Sequence, residues 1–441
     1  MNPHWKLALK RAIIEVLPGL QQLAQQFSEP YLTWRKENRA WHGEYCERPD
    51  ITHALIAANA QLEKVGAPFC NALLNEYPKF RDGLVGCSGL GGQQLFADKT
   101  FVLRYLLGEL WRRHGTFACN EAAVVELIEG FSEFIDRPTI RVRFQAELLN
   151  FRMAKEALSF PEGLVIRRLD EEEISHLNGG SLHTIGLLRP RSTSITEFVI
   201  EGEYKDQKLF APELNSDSDK REEVRSQLDR AILSLRTFKE GRVGYDWIHY
   251  KFLGVCPLSA PSFGYSDLYI PAGTYHITDE EMHALAEHAQ RIFAISDPAM
   301  ETACRRLSDA EIRVRPEDQI VDAVIGMETL LLAALRNEDR RSELRYRFSI
   351  HYATLFENSS ERRRAFKIAK DLYDLRSTLA HGSDVGRPPY RVGDKRLTLA
   401  DAAKRAREAL RRTVNHFLST TETAVYKNPE FWERAYFGIG E

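Results

Sequence analysis

The chain has 441 residues and a formal net charge of −3, with 43% hydrophobic and 28% charged residues. This length is more than one hydrophobic core usually serves, so we expect two or three domains in a globular protein. No apolar run approaches the ~18 residues of a membrane span, so no membrane association is expected. The six cysteines form no Cys-x-x-Cys pair. Their scatter indicates neither a zinc site nor a disulfide framework, and it favours a cytoplasmic location.

Residues 1–158 are predicted to form a helical N-terminal domain. The first 20 residues, the segment 55–62 and the segment 103–111 place apolar residues at helical spacing, and a further helix is predicted over 121–134. The glycine-rich segment 83–92 interrupts these helices. It lacks the Gly-Lys-Ser/Thr ending of a phosphate-binding loop, so we interpret it as a flexible loop.

Residues 159–275 are predicted to form a middle domain of the α+β or β-rich type. An amphipathic helix over 224–238 separates segments that are rich in strand-forming residues. The segment 208–210 is predicted to pair with the strand at 196–204. The predicted strands cover 163–169, 196–204 and 243–252.

Residues 276–441 are predicted to form a helical bundle, so the fold class is mainly α with a smaller middle region of strands. Thr278 and Glu281 match a capping box, and Pro316 suits the first turn of a helix. Ser360 and Thr398 are predicted to cap two further helices. Helices of this length must bury their apolar faces against one another.

Basic residues are concentrated in the C-terminal part of the chain. Residues 301–441 hold 26 Lys and Arg against 22 Asp and Glu, a net charge of +4. Such clusters attract polyanions, although long helices also carry solvated basic faces, and both interpretations stay open. The residues predicted to bind RNA are Arg345, Arg347, Lys370 and Arg387.

The segment from Arg376 to Gly382 places an arginine, the Ser377 hydroxyl and His381 in the last turns of a predicted helix. Arginine offers a planar fork to a phosphate, and histidine suits proton transfer near neutral pH. The same Arg-x4-His spacing recurs at 411 and 416, in the middle of a predicted helix. We interpret that second pair as part of a solvated or interface face.

The segment 371–382 resembles the signature of the HEPN superfamily, specifically its Apea-like branch. Two upstream segments add to the resemblance: 319–332, with Glu328 before a run of leucines, and 343–348. The resemblance covers about 301–425. It implies a helical domain that pairs with a copy of itself, so that Arg376 and His381 of two protomers form a ribonuclease centre. Active members often carry Asn, Asp or His directly after the arginine, where this chain has Ser377.

The resulting hypothesis is a metal-independent endoribonuclease of the HEPN type that needs no cofactor. Its catalytic residues would be Arg376, Ser377 and His381, and its substrate RNA, with tRNA among the candidates. The resemblance also implies a toxin or anti-phage effector, a homodimer joined through the C-terminal bundle, and a phage-derived trigger or a regulatory partner. The supporting residues are predicted to be Glu328, Asp371, Tyr373 and Asp374.

Each supporting residue also has an ordinary structural interpretation. Glu328 suits an ion pair with an arginine of a neighbouring helix, the two aspartates suit a helix surface, and Tyr373 suits the edge of a core. The alternative function is therefore a catalytically silent HEPN module for dimerisation or ligand binding in a defence or regulatory complex.

Overall fold

The computed structural model is mainly helical, with a sheet-containing middle region and a helical C-terminal region, so the predicted fold class is confirmed. Helices in the described part of the chain lack the combination of length and apolar character that crossing a membrane requires. The structure describes residues 3–37, 40–81, 84–87, 90–178, 180–181, 196–210, 220–264, 273–335, 343–381, 390–420 and 424–437.

The helices follow one another along these residues. They are α1 (His4–Ala24), α2 (Ile51–Ala57), α3 (Asn59–Glu76), α4 (Phe101–His114), α5 (Glu121–Asp136), α6 (Glu171–Asn178), α7 (Lys220–Phe238), α8 (Asp279–Phe293), α9 (Pro298–Ile312), α10 (Pro316–Leu331), α11 (Leu344–Thr354), α12 (Ser359–Ala380), α13 (Leu399–Ser419) and α14 (Pro429–Phe437).

The strands are shorter and concentrate in the first two thirds of the chain. They are β1 (Ser28–Glu37), β2 (Ala40–Pro49), β3 (Val85–Cys87), β4 (Gly91–Gln93), β5 (Thr139–Leu149), β6 (Phe151–Met153), β7 (Ala157–Ser159), β8 (Val165–Arg168), β9 (Gly180–Ser181), β10 (Phe198–Gln207), β11 (Leu209–Phe210), β12 (Gly244–Phe252), β13 (Ser262–Gly264), β14 (Tyr275–Ile277), β15 (Tyr390–Val392) and β16 (Lys395–Leu397).

The chain divides into two compact units. The first unit comprises residues 1–148, 163–226 and 246–265, and the second comprises 149–162, 227–245 and 266–441. The predicted division into three domains, 1–158, 159–275 and 276–441, remains a prediction.

In the first unit, one sheet carries the strands β13, β12, β5, β10 and β8 in that order. Strand β10 pairs antiparallel with β5 and with β8, and β12 pairs antiparallel with β13. The side chains of β5 alternate between exposed and buried through most of its length, as expected for a strand with one face on a core. The predicted strands at 163–169, 196–204 and 243–252 are thus confirmed in place.

Three details of the first unit differ from the sequence prediction. The ten-residue strands β1 and β2 form an antiparallel hairpin inside the predicted helical domain, where aromatic residues favour a strand. The glycine-rich segment predicted as a loop contains β3 and β4, which pair with each other. Strand β11 pairs with β3, not with β10, because the Phe210 ring packs against Phe80 at a centroid distance of 5.2 Å.

In the second unit, helices α8 to α14 form the bulk of the fold. Helix α10 packs against α9, α12 and α13, and α11 packs against α12. The capping box at Thr278 and the cap at Thr398 are confirmed, and Pro316 occupies the first turn of α10. The prediction for Ser360 is wrong: Asn358 caps α12, because its side chain accepts a hydrogen bond from the Glu361 N–H.

Candidate functional site

Helix α12 carries the predicted catalytic residues. It buries Ala365, Ile368, Ala369, Leu372 and Leu375, whose spacing of three and four residues forms one apolar stripe against the core. This stripe fixes the rotation of the helix and therefore the direction of its polar side chains. The helix ends at residue 381, whose backbone N–H donates to the carbonyl of residue 377.

Arg376 lies beside Glu328 of α10. The Arg376 Nη2 and Glu328 Oε2 atoms are 3.3 Å apart, and the two side chains are 26% and 20% exposed. The Arg376 Nε is buried and has no hydrogen-bond partner among the described residues. The pair is therefore half-shielded from water, and the guanidinium keeps donor capacity that the pair does not use.

The surroundings shift the ionisation of both acids in this cluster. Burial raises the pKa of Glu328, and the Arg376 charge opposes that rise. Burial also raises the pKa of Tyr373, with the Glu328 charge adding to the effect. A carboxylate near a cation but poorly solvated is a common feature of functional sites and also of structural ion pairs.

A cavity of about 630 Å³ opens beside this cluster. Its wall combines the Glu328–Arg376 pair and Tyr373 with mostly small and apolar side chains. Lys427 adds a second cation to the wall and is itself paired with Asp297. The lining residues are Ala299, Ile325, Glu328, Thr329, Leu332, Ala333, Leu344, Tyr373, Arg376 and Lys427.

Lys427 was not predicted from the sequence. It lies 51 positions after Arg376 and belongs to no motif, and only the return of the chain after α13 brings it to the cavity. No sequence signal identifies it.

The predicted supporting residues on α12 have separate contacts. The Tyr373 ring packs against the buried Phe348 at 5.3 Å, in addition to lining the cavity. Asp374 pairs with Arg345 at 2.9 Å, with both side chains nearly half exposed. Asp371 accepts a hydrogen bond of 2.8 Å from the Gly393 N–H, in the turn between β15 and β16.

Of the residues predicted to bind RNA, Arg345, Arg347 and Lys370 do not line the cavity. Arg345 is exposed on α11, whereas Arg347 and Lys370 are half-buried. The charge of Arg347 acts on His351 and Tyr436, which places it near α14. Arg387 lies outside the described residues.

His381 is exposed at the end of α12, and Ser377 is half-buried. Five residues of helix correspond to a rise of about 7.5 Å and a rotation of about 140°, so Arg376 and His381 point to different sides of α12. The structure therefore brings Arg376, Glu328 and Tyr373 together, and it leaves His381 apart from them within one protomer.

Among the described residues, no group of three or more His, Cys, Asp or Glu side chains is placed to hold a metal ion. The arrangement can bind an anion at Arg376 and offers one exposed imidazole for proton transfer. Comparison with known proteins adds nothing to this picture, since no family model, curated protein or solved structure gives a significant match.

Proposed function

We propose that this chain is a metal-independent endoribonuclease of the HEPN type, which cleaves RNA at a site formed by two copies of the chain. The observation that carries the proposal is the end of α12. There, Arg376 lines a cavity and pairs with Glu328, while His381 is exposed five residues further along the chain.

The proposed reaction is a transesterification within RNA. The 2′-hydroxyl attacks the adjacent phosphorus while a neutral His381 imidazole takes its proton. Arg376 stabilises the negative charge that builds on the non-bridging oxygens. The 5′-oxygen leaves with a proton from a second imidazole, giving a 2′,3′-cyclic phosphate and a 5′-hydroxyl end.

A second copy of the chain is needed because this reaction uses one base and one acid. His381 is the single imidazole at the end of α12, and it points away from the Arg376 of the same helix. A two-fold axis beside these helix ends would place the His381 of each protomer against the Arg376 of its partner. The proposed partners are thus RNA and a second copy of the chain.

The test is cleavage of radiolabelled tRNA and of single-stranded RNA by the purified protein in EDTA. We expect His381→Ala to lower the cleavage rate by about 10²-fold to 10⁴-fold and Arg376→Ala by about 10²-fold to 10³-fold. The wild-type products should carry cyclic phosphate ends, which a phosphatase removes only after acid treatment.

The matched control is His283→Ala, which removes an imidazole that is 88% exposed on α8. This variant should cleave at the wild-type rate. Cleavage that survives His381→Ala, or products with a 3′-hydroxyl end, would contradict the mechanism.

A second candidate function is supported by a specific observation. The Arg376 charge is already balanced by Glu328, and Ser377 stands where active family members often carry Asn, Asp or His. Both features favour a catalytically silent module in which the ion pair maintains the bundle or an interface. A protein that dimerises but leaves all RNA substrates intact would favour this alternative.

The role as a toxin or anti-phage effector is proposed on the resemblance in sequence alone. Sequencing of RNA ends in cells that express the wild-type chain or Arg376→Ala would identify the RNA target. We expect growth arrest and new RNA ends with the wild-type chain only.

A further inference from the structure

The first unit contains a hydrogen-bonded set of three side chains that the proposed ribonuclease does not use. His249 of β12 lies between Ser262 of β13 and Glu147 of β5. The His249 Nδ1 is 2.9 Å from the Ser262 Oγ, and the His249 Nε2 is 2.6 Å from the Glu147 Oε1. A hydroxyl, an imidazole and a carboxylate in this order are the parts of a serine nucleophile with its base and its orienting acid.

The strand pairing explains why the hydroxyl and the imidazole meet. Residues 249 and 262 are directly opposite in the antiparallel pair of β12 and β13. The neighbouring Tyr250 N–H donates to the Pro261 carbonyl, so 249 and 262 form the alternate pair without backbone hydrogen bonds. Side chains of such pairs are the closest across an antiparallel ladder.

One protonation state satisfies both hydrogen bonds. The Glu147 side chain is 5% exposed and, as a carboxylate, accepts the proton on Nε2 of His249. The Nδ1 lone pair then faces Ser262 and accepts its hydroxyl proton. The Thr196 hydroxyl also donates to Glu147, at 3.3 Å, and helps to fix the carboxylate.

The Trp247 ring flanks the imidazole, and the serine is accessible. The Trp247 ring lies nearly parallel to the His249 ring, at 6.4 Å between centroids, and covers Gly264, where a Cβ would approach the indole to 3.0 Å. Ser262 is exposed, and β13 is the last described strand on its side of the sheet. Because 262 belongs to a pair without backbone hydrogen bonds, its N–H points to that outer edge.

We propose that Ser262, His249 and Glu147 form a second catalytic site, which transfers acyl groups from ester or amide substrates. The Ser262 Oγ attacks the carbonyl carbon and gives its proton to Nδ1 of His249. The tetrahedral intermediate collapses, the leaving alcohol or amine takes that proton, and an acyl-serine remains. Water then attacks the acyl-serine with His249 as base, which releases the acid and restores the serine. The Ser262 N–H is positioned to stabilise the oxyanion.

The test uses the full chain and a fluorophosphonate probe, which forms a covalent adduct only with an activated serine. Intact-mass spectrometry should show one adduct on the wild-type chain and none on Ser262→Ala. Ser259→Ala is the matched control, because Ser259 is also exposed and lies three residues away; it should keep the adduct. His249→Gln should slow adduct formation by about 10²-fold or more.

Glu147 is a positioning residue, and its role has a separate measurement. With p-nitrophenyl acetate, Glu147→Gln should lower kcat and leave KM unchanged, and Glu147→Asp should restore part of kcat. An unlabelled but folded wild-type chain, an adduct that survives Ser262→Ala, or labelling that does not depend on His249 would each overturn the proposal. His381→Ala should keep the adduct, so this result is independent of RNA cleavage.

Discussion

Two helices of the second unit, α12 and α13, carry the same Arg-x4-His spacing in different surroundings. On α12, Arg376 pairs with one half-buried acid at a cavity, and the helix ends at the exposed His381. On α13, Arg411 pairs with Glu311, which is 3% exposed, and His416 lies half-buried in the last turn and not, as predicted, in the middle of the helix. Identical spacing thus places an arginine in a cavity wall in one helix and in an ion-pair network inside the bundle in the other.

The difference lies in what surrounds each arginine. Glu311 contacts both Arg411 and Arg407, and Arg407 also pairs with Glu240 at 3.1 Å. The guanidinium groups on α13 are therefore neutralised inside the bundle and contribute to its packing. Arg376 and its partner Glu328 both line the cavity. Arg376 is therefore better placed than Arg411 to bind a phosphate.

The sharpest way to test this contrast is to remove Glu311, the acid of α9 that two arginines of α13 share. Glu311→Gln leaves the largely shielded Arg411 without a carboxylate and leaves Arg407 with Glu240 alone, and we expect the free energy of unfolding to fall by about 3–5 kcal/mol. Urea denaturation followed by circular dichroism measures this loss.

The control for that experiment is Glu408→Gln on α13, the helix that carries Arg407 and Arg411. Glu408 pairs with Arg405 at 3.1 Å, but both side chains are more than 40% exposed. Such a surface pair contributes at most about 1 kcal/mol. Equal losses from the two variants would show that the Glu311 network is not a closed structural element.

A smaller loss of stability is expected when the ion pair between α12 and α10 is removed. Arg376→Ala removes the cation beside Glu328, and we expect the free energy of unfolding to fall by about 1–2 kcal/mol at pH 7, since the half-buried acid loses its partner. The loss should grow with pH. Burial already raises the pKa of Glu328, and Arg376 is the group that opposes this rise.

The direction of this pH dependence follows from the protons bound in the folded and unfolded chains. An acid with a raised pKa binds more protons in the folded than in the unfolded chain, so stability falls as the pH rises from 4.5 through the raised value. Without Arg376, the pH range over which stability falls extends to higher pH. Urea denaturation between pH 4 and pH 8 should show it, with exposed Arg363→Ala on the same helix as control. A pH-independent difference between Arg376→Ala and the wild type would contradict the assignment.

The sequence predicted the helices of the C-terminal unit because their apolar stripes and caps are local signals. The hairpin of β1 and β2 at 28–49 was not predicted from the sequence. Its residues show no alternating pattern strong enough to distinguish these strands from the neighbouring helices. Glu328 was singled out as an acid in an apolar run, and the structure pairs it with Arg376. Lys427 and the set around His249 depend on chain segments that meet only in three dimensions, so no local pattern reveals them.

The smallest effects are expected at the two histidines, and they test how far the two helix regions differ. His416→Ala should lower the free energy of unfolding by about 1 kcal/mol at pH 7.5, because the ring packs edge-on against Phe417 at 5.1 Å. Burial lowers the pKa of His416, so the unfolded chain binds more protons than the folded chain below pH 6.5. The stability that neutral His416 provides is therefore lost as the pH falls, and the difference from His416→Ala should shrink on acidification.

His381→Ala should change stability by less than about 0.5 kcal/mol at pH 7.5, because the side chain is exposed at the end of α12. A His381 variant that keeps its stability but loses RNA cleavage would separate function from folding at this residue, whereas a larger loss of stability than in His416→Ala would reverse the contrast between the two helices.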